Sequence, residues 1–137
     1  MDLLVVVEVA AFCPWDEEDL AELGGIGEWL PPQKRRVRDW CAVAEASASA
    51  VDQGLGDESV GEQEWLDSAR NFGLRGPNLA GFASLRCYPI AVSPSQWTNG
   101  RHRGWLIQRA GARRTAVLNP DWSHPSWREP GGGSPCE

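Results

Sequence analysis

Residues 96–118, QWTNGRHRGWLIQRAGARRTAVL, compress a turn, a helix with a basic start, a helix stop and a strand into one run. Asn99 and Gly100 tolerate the left-handed backbone that a tight turn needs, and Gly100 leaves room for a ligand to approach the main chain. From Arg101 to Ala110 every residue but Gly104 favours helix, with Trp105, Leu106, Arg109 and Ala110 at helical spacing. Gly111 stands where a left-handed cap ends a helix. Arg114 to Leu118, RTAVL, is short and apolar enough for a buried strand.

The charges at the helix start carry the functional expectation. Arg101, His102 and Arg103 fall on a first turn whose free N–H groups attract anions. Two arginines there oppose the helix dipole by a few tenths of a kcal/mol each, a cost that a bound phosphate would offset. Solvated arginines on an exposed turn, with His102 in a hydrogen bond, are the plainer reading of the same residues.

The run Asn99-Gly100-Arg101-His102-Arg103, then a helix closing at Ala110-Gly111 and a strand, resembles the second box of the ParB/sulfiredoxin-like superfamily, as in its GERR and DGQHR signatures. Pro89-Ile90-Ala91-Val92 is similar to that family's P-I-x-V strand. The resemblance covers residues 85–118. It implies a ParB/sulfiredoxin-like core and a pocket for a phosphate-bearing small molecule or a nucleotide such as CTP or ATP. Asn99, Gly100, Arg101, His102 and Arg103 would be the binding residues. Leu106 stands where ParB boxes carry alanine, and Arg101 where sulfiredoxins carry cysteine, so sulfiredoxin redox chemistry is not implied.

The 137 residues suit one domain with a core of its own, and 42% hydrophobic residues with eight tryptophans exclude a disordered chain. The net charge of −6 is unevenly spread. Residues 1–85 carry six basic and sixteen acidic side chains, whereas 86–137 carry seven arginines and three acids, so the two parts attract. An acidic whole excludes a general nucleic-acid coat, because such binding rests on neutralising phosphates. Cys13, Cys41, Cys87 and Cys136 lack any C-x-x-C pair, which points to reduced, buried thiols rather than a metal site. Met1 to Phe12 is too short to span a bilayer, so a cytoplasmic protein without membrane contact is expected.

In chain order, Leu3 to Val9 reads as a buried strand, with a short helix through Ala10 and Ala11 as the alternative. The acidic run Asp16 to Asp19 opens one helix, and Pro31-Pro32 opens another of roughly 20 residues whose apolar stripe includes Val37, Trp40, Val43 and Ala44. The basic run from Lys34 to Arg38 pairs with the acids before it or with Asp39 and Glu45, with a second anion contact as the alternative. A further helix spans Glu58 to Phe72. Leu79 to Leu85 fits helix or strand, Arg86 to Val92 reads as strand, and Gln96 to Thr98 as a short one. The expected fold is α+β, a helical first half packed on a small mixed sheet in a single domain over 1–119. Residues 120–137, rich in proline and glycine, form an extended tail whose Trp122 and Trp127 dock onto the body or a partner.

Three functions fit these features. The first is phosphate or nucleotide binding, in DNA-linked or phosphoryl-transfer chemistry; Glu8, Asp39, Glu45, Glu62, Glu64 and Asp67 are the carboxylates available, and none is singled out as a base. The second is a non-catalytic adaptor, immunity or inhibitor protein whose acidic half meets a basic partner. The third is DNA binding through the helix after Lys34, which the acidic surroundings oppose.

Overall fold

The computed structural model describes residues 1–12, 37–92 and 97–121, with the backbone alone for 97–99. Expectations placed on 13–36, 93–96 and 122–137, including the Pro31-Pro32 helix start, the basic run through Arg36 and the tail, lie outside the described residues. The order is β1 (Leu4–Glu8), a 3-10 turn (Val9–Ala11), α1 (Trp40–Ala50), a π-helical turn (Val51–Leu55), α2 (Glu62–Asn71), α3 (Pro77–Cys87), β2 (Ala91–Val92), β3 (Trp97–Asn99), α4 (Arg101–Arg109) and β4 (Arg114–Leu118). This is a mixed α and β chain, but the strands form two antiparallel pairs, β1 with β4 and β2 with β3, rather than one mixed sheet.

The RTAVL strand pairs with the strand at the other end of the chain, Leu4 opposite Leu118 and Glu8 opposite Arg114. Asn119 N–H donates to the Leu3 carbonyl (2.8 Å) and Val9 N–H to the Arg113 carbonyl (2.8 Å), so odd-numbered residues of β1 form the bonded pairs. Even-numbered residues of both strands therefore turn their N–H and C=O groups outward. On β4 each outward N–H is answered. Leu118 donates to the Ile90 carbonyl (2.8 Å), Ala116 to Ser47 Oγ (3.0 Å) and Arg114 to Glu45 Oε1 (3.1 Å). Two side chains of α1 thus seal an edge that would otherwise be open.

Helix α1 can lie this close because its inner face is mostly alanine and serine; Val43, Ala44, Ser47, Ala48 and Ala50 are fully buried. Its start departs from the sequence expectation. Asp39 caps it by accepting from Ala42 N–H (2.9 Å), and Asn78 Oδ1 holds the N–H groups of Arg38 (2.9 Å) and Asp39 (3.2 Å) outside the helix. Asp39 therefore caps its own helix, and Glu45 binds the backbone before β4. The helix expected from Glu58 begins at Glu62, because Asp57 to Val60 form a turn closed by Asp57 on Ser59 (N to Oδ2 3.0 Å).

The ambiguous stretch after Gly76-Pro77 is helix, with proline in its first turn where the missing N–H costs nothing. It extends through Arg86 and Cys87, which corrects the strand expected from Arg86; only Ala91 and Val92 pair as strand, with Pro89 between. Packing explains the choice. A side chain at Gly81 would place its Cβ 2.8 Å from Val37 Cγ2, while Phe82 stacks on Trp65 at 4.3 Å and its carbonyl accepts from Trp65 Nε1 (2.9 Å). Phe82, Leu85, Ile90, Ile107, Leu4 and Trp65 are fully buried and form the centre of one core.

Candidate functional site

The Gly100 turn forms where the sequence places it. Gly100 has φ 80°, ψ 21°, its carbonyl accepts from Gly104 N–H (2.9 Å), and α4 runs to a left-handed Gly111 at φ 84°. Asn99 ends β3 opposite Ala91. The glycine is demanded by packing within the chain: a Cβ would lie 2.9 Å from Ile90 Cγ1, 3.0 Å from Arg103 Nη2 and 3.1 Å from Ile90 Cα. Ile90 and Arg103 fill the side of Gly100 on which a Cβ would stand, and the residue itself is half-exposed.

Arg103 turns inward and is 4% exposed. It donates from Nη1 to the Ser84 carbonyl (2.8 Å) and to Ser84 Oγ (3.3 Å), and from Nη2 to the Tyr88 carbonyl. Those groups lie at the C-terminal end of α3, where the helix dipole is negative; the Ser84 carbonyl also accepts from Tyr88 N–H (3.0 Å). A cation therefore suits the position without any ligand. Burial pushes its pKa down to about 10, and at neutral pH the guanidinium remains charged. The described polar partners of Arg103 are backbone and hydroxyl oxygens of α3, with no carboxylate among them.

Arg101 and His102 are half-buried on the first turn of α4, which carries no acidic residue. Of the five residues singled out in the sequence, the structure brings Gly100 and Arg103 together and commits both to the framework. Arg109, at the other end of α4, lies over the Trp105 ring at 4.7 Å, a cation–π contact.

A second buried arginine escapes the sequence reading. Arg86, 8% exposed, donates from Nη2 to the carbonyls of Glu58 (3.4 Å) and Val60. Burial lowers its pKa, against the opposing pull of Asp57 and Glu64. Its position in an apparent strand concealed it; helical spacing from Phe82 and Leu85 was the available signal. The candidate carboxylates are dispersed. Glu45 holds Arg113 and Arg114 N–H (2.7 and 3.1 Å), Asp67 takes Gln63 and Arg70, and Glu8, Glu62 and Glu64 are exposed. The attraction between acidic and basic parts is realised where Arg114 meets Asp52 at 2.9 Å.

Cys41 is a free thiol, whereas Cys87 is disulfide-bonded, which corrects the expectation of a reduced thiol there. No described helix is long and apolar enough to cross a membrane.

Compared with models of protein families, with curated proteins and with solved structures, the chain matches none. The ParB/sulfiredoxin-like resemblance thus stands on residues 85–118 alone.

Proposed function

We propose that the chain is a non-catalytic acidic protein of the adaptor, immunity or inhibitor kind, acting by binding another protein. One observation supports this reading above the rest. Residues 39–69 carry eight acidic side chains and no lysine, arginine or histidine; Glu62 and Glu64 are exposed, as are Asp52, Glu58 and Asp67, which pair with Arg114, the N-terminus and Arg70. With Asp2 and Glu8 of the neighbouring strand region also exposed, these acids give a negative surface suited to steering a basic partner.

The test is retention of proteins from source-cell extract on the immobilised chain, with Glu62→Lys/Glu64→Lys alongside. A protein that elutes with salt from the unmodified chain and is lost by the double variant supports the reading. An identical set retained by both would overturn it.

A second reading is phosphate or nucleotide binding on a ParB/sulfiredoxin-like core, favoured by half-exposed Arg101 and His102 on a helix start free of acids. It would use these two residues in place of Arg103. A ligand such as CTP, ATP, ADP or inorganic phosphate at a hundred times its Kd adds about 2.7 kcal/mol of stability. A thermal shift lost in Arg101→Ala supports this second reading; no shift with any of the four removes it. DNA binding would need affinity that falls steeply with salt. A cytoplasmic setting belongs to the second reading, whereas the Cys87 disulfide fits an oxidising compartment, where such bonds persist.

A further inference from the structure

The two edges of the β1–β4 pair are treated differently. All three outward N–H groups of β4 are answered by Ile90, Ser47 and Glu45, as described above. On β1 the outward groups belong to Leu4, Val6 and Glu8. Leu4 N–H donates to the Gly56 carbonyl (3.0 Å), and Gly56 lies so close that a Cβ there would sit 2.7 Å from the Leu4 carbonyl oxygen. That end of the edge is closed. The Glu8 carbonyl closes the first bond of the 3-10 turn that follows, whereas the outward N–H and C=O of Val6 and the N–H of Glu8 have no partner among the described residues. Val6 is half-exposed and does not pack on the core cluster, whereas Val5 and Val7 do.

An unpaired strand edge is a template for another strand. The occupant follows from charge. Asp2 and Glu8, both exposed, stand at the two ends of this strand region; Arg114, opposite Glu8 on β4, is drawn to Asp52 (2.9 Å). A second copy of this chain pairing through the same edge would bring its own Glu8 to the same short ladder, and like charges across a strand pair are destabilising. A basic extended segment meets no such repulsion.

We propose that the β1 edge at Val6–Glu8 takes a short, basic, extended segment of a partner protein by strand addition. The segment exchanges both main-chain hydrogen bonds with Val6 and sets lysine or arginine near Glu8. This rests on the protein-binding reading above and specifies how the partner is held.

The probe is a fluorescein-labelled peptide, Lys-Val-Lys-Val-Lys-Val-Lys, followed by anisotropy. Val6→Pro removes only an outward N–H, a place where edge strands tolerate proline, while Val6→Thr keeps it. Binding to the unmodified chain and to Val6→Thr, weakened about tenfold or more in Val6→Pro, is the expected result. Should Val6→Pro fail to fold, the same peptide methylated on alternate backbone nitrogens tests the unmodified protein, and it is expected not to bind. Equal binding of the methylated peptide, or of Val6→Pro when folded, overturns strand addition while leaving the protein-binding reading standing. No binding of the plain peptide also overturns strand addition, and the extract experiment then decides the broader reading separately.

Discussion

Replacing Arg103 separates a framework role from a ligand role. If the guanidinium serves the end of α3, its loss should destabilise the protein with no ligand present. Arg103 is 4% exposed and reaches Ser84 and Tyr88 carbonyls through two different nitrogens. Hydrogen bonds from a charged group are worth about 1.5–3 kcal/mol each, so the two together give about 3–6 kcal/mol. The Ser84 carbonyl keeps Tyr88 N–H (3.0 Å), so the loss falls chiefly on the Tyr88 carbonyl. Burying a cation is itself costly, and removing it returns part of that cost. Arg103→Met, which keeps an apolar stem but no donor, should therefore lower stability by about 2–4 kcal/mol, or roughly 10 °C in melting temperature. Arg103→Ala, which also leaves a void, should fall further. Urea titration followed by circular dichroism at neutral pH, without nucleotide or phosphate, gives the comparison. Stability of Arg103→Met within about 0.5 kcal/mol of the unmodified chain would refute the reasoning, since surface arginines behave that way.

Gly100→Ala should destabilise by about 1–3 kcal/mol, because alanine would be held at φ 80° with its Cβ against Ile90 and Arg103; thermal melting checks this, and a neutral result would mean the turn has another conformation. Ser47→Ala should cost about 1–3 kcal/mol by leaving the buried Ala116 N–H unanswered. In Glu45→Ala, the amides of Arg113 and Arg114 should exchange with solvent faster than in the unmodified chain, as read by hydrogen–deuterium exchange. Asp57 accepts from the Ser59 hydroxyl and N–H, which hold its pKa below the usual carboxylate value. Its contribution is therefore present above the unfolded-state pKa and lost as pH falls through the lower folded value. The acid limb of a stability–pH curve should flatten in Ser59→Ala.

What the sequence could and could not reveal follows the range of the forces involved. RTAVL is strand at the residues expected, and Gly100 and Gly111 bracket a helix because a left-handed backbone is a property of one residue and its neighbours. The start of α1 was missed because Asn78, some forty residues away, withholds Arg38 and Asp39 from the helix. Arg86 and Cys87 read as strand beside Tyr88 to Val92, yet the burial of Phe82 and Leu85 carries the helix through them. The basic turn was legible as a cluster of charge. Its destination was not, since Ser84 and Tyr88 answer Arg103 with main-chain oxygens that every residue possesses.

The pairing of Leu4 with Leu118 also sets the order in which the molecule can be completed. During synthesis the valine-rich first strand leaves the ribosome long before its mate exists, a delay of roughly ten seconds at ordinary elongation rates. All the intervening helices must be positioned before the last rung closes, so the ladder joining the chain's distant segments should be a late event in folding. Until then Val5, Val6 and Val7 stand without the strand that pairs with them.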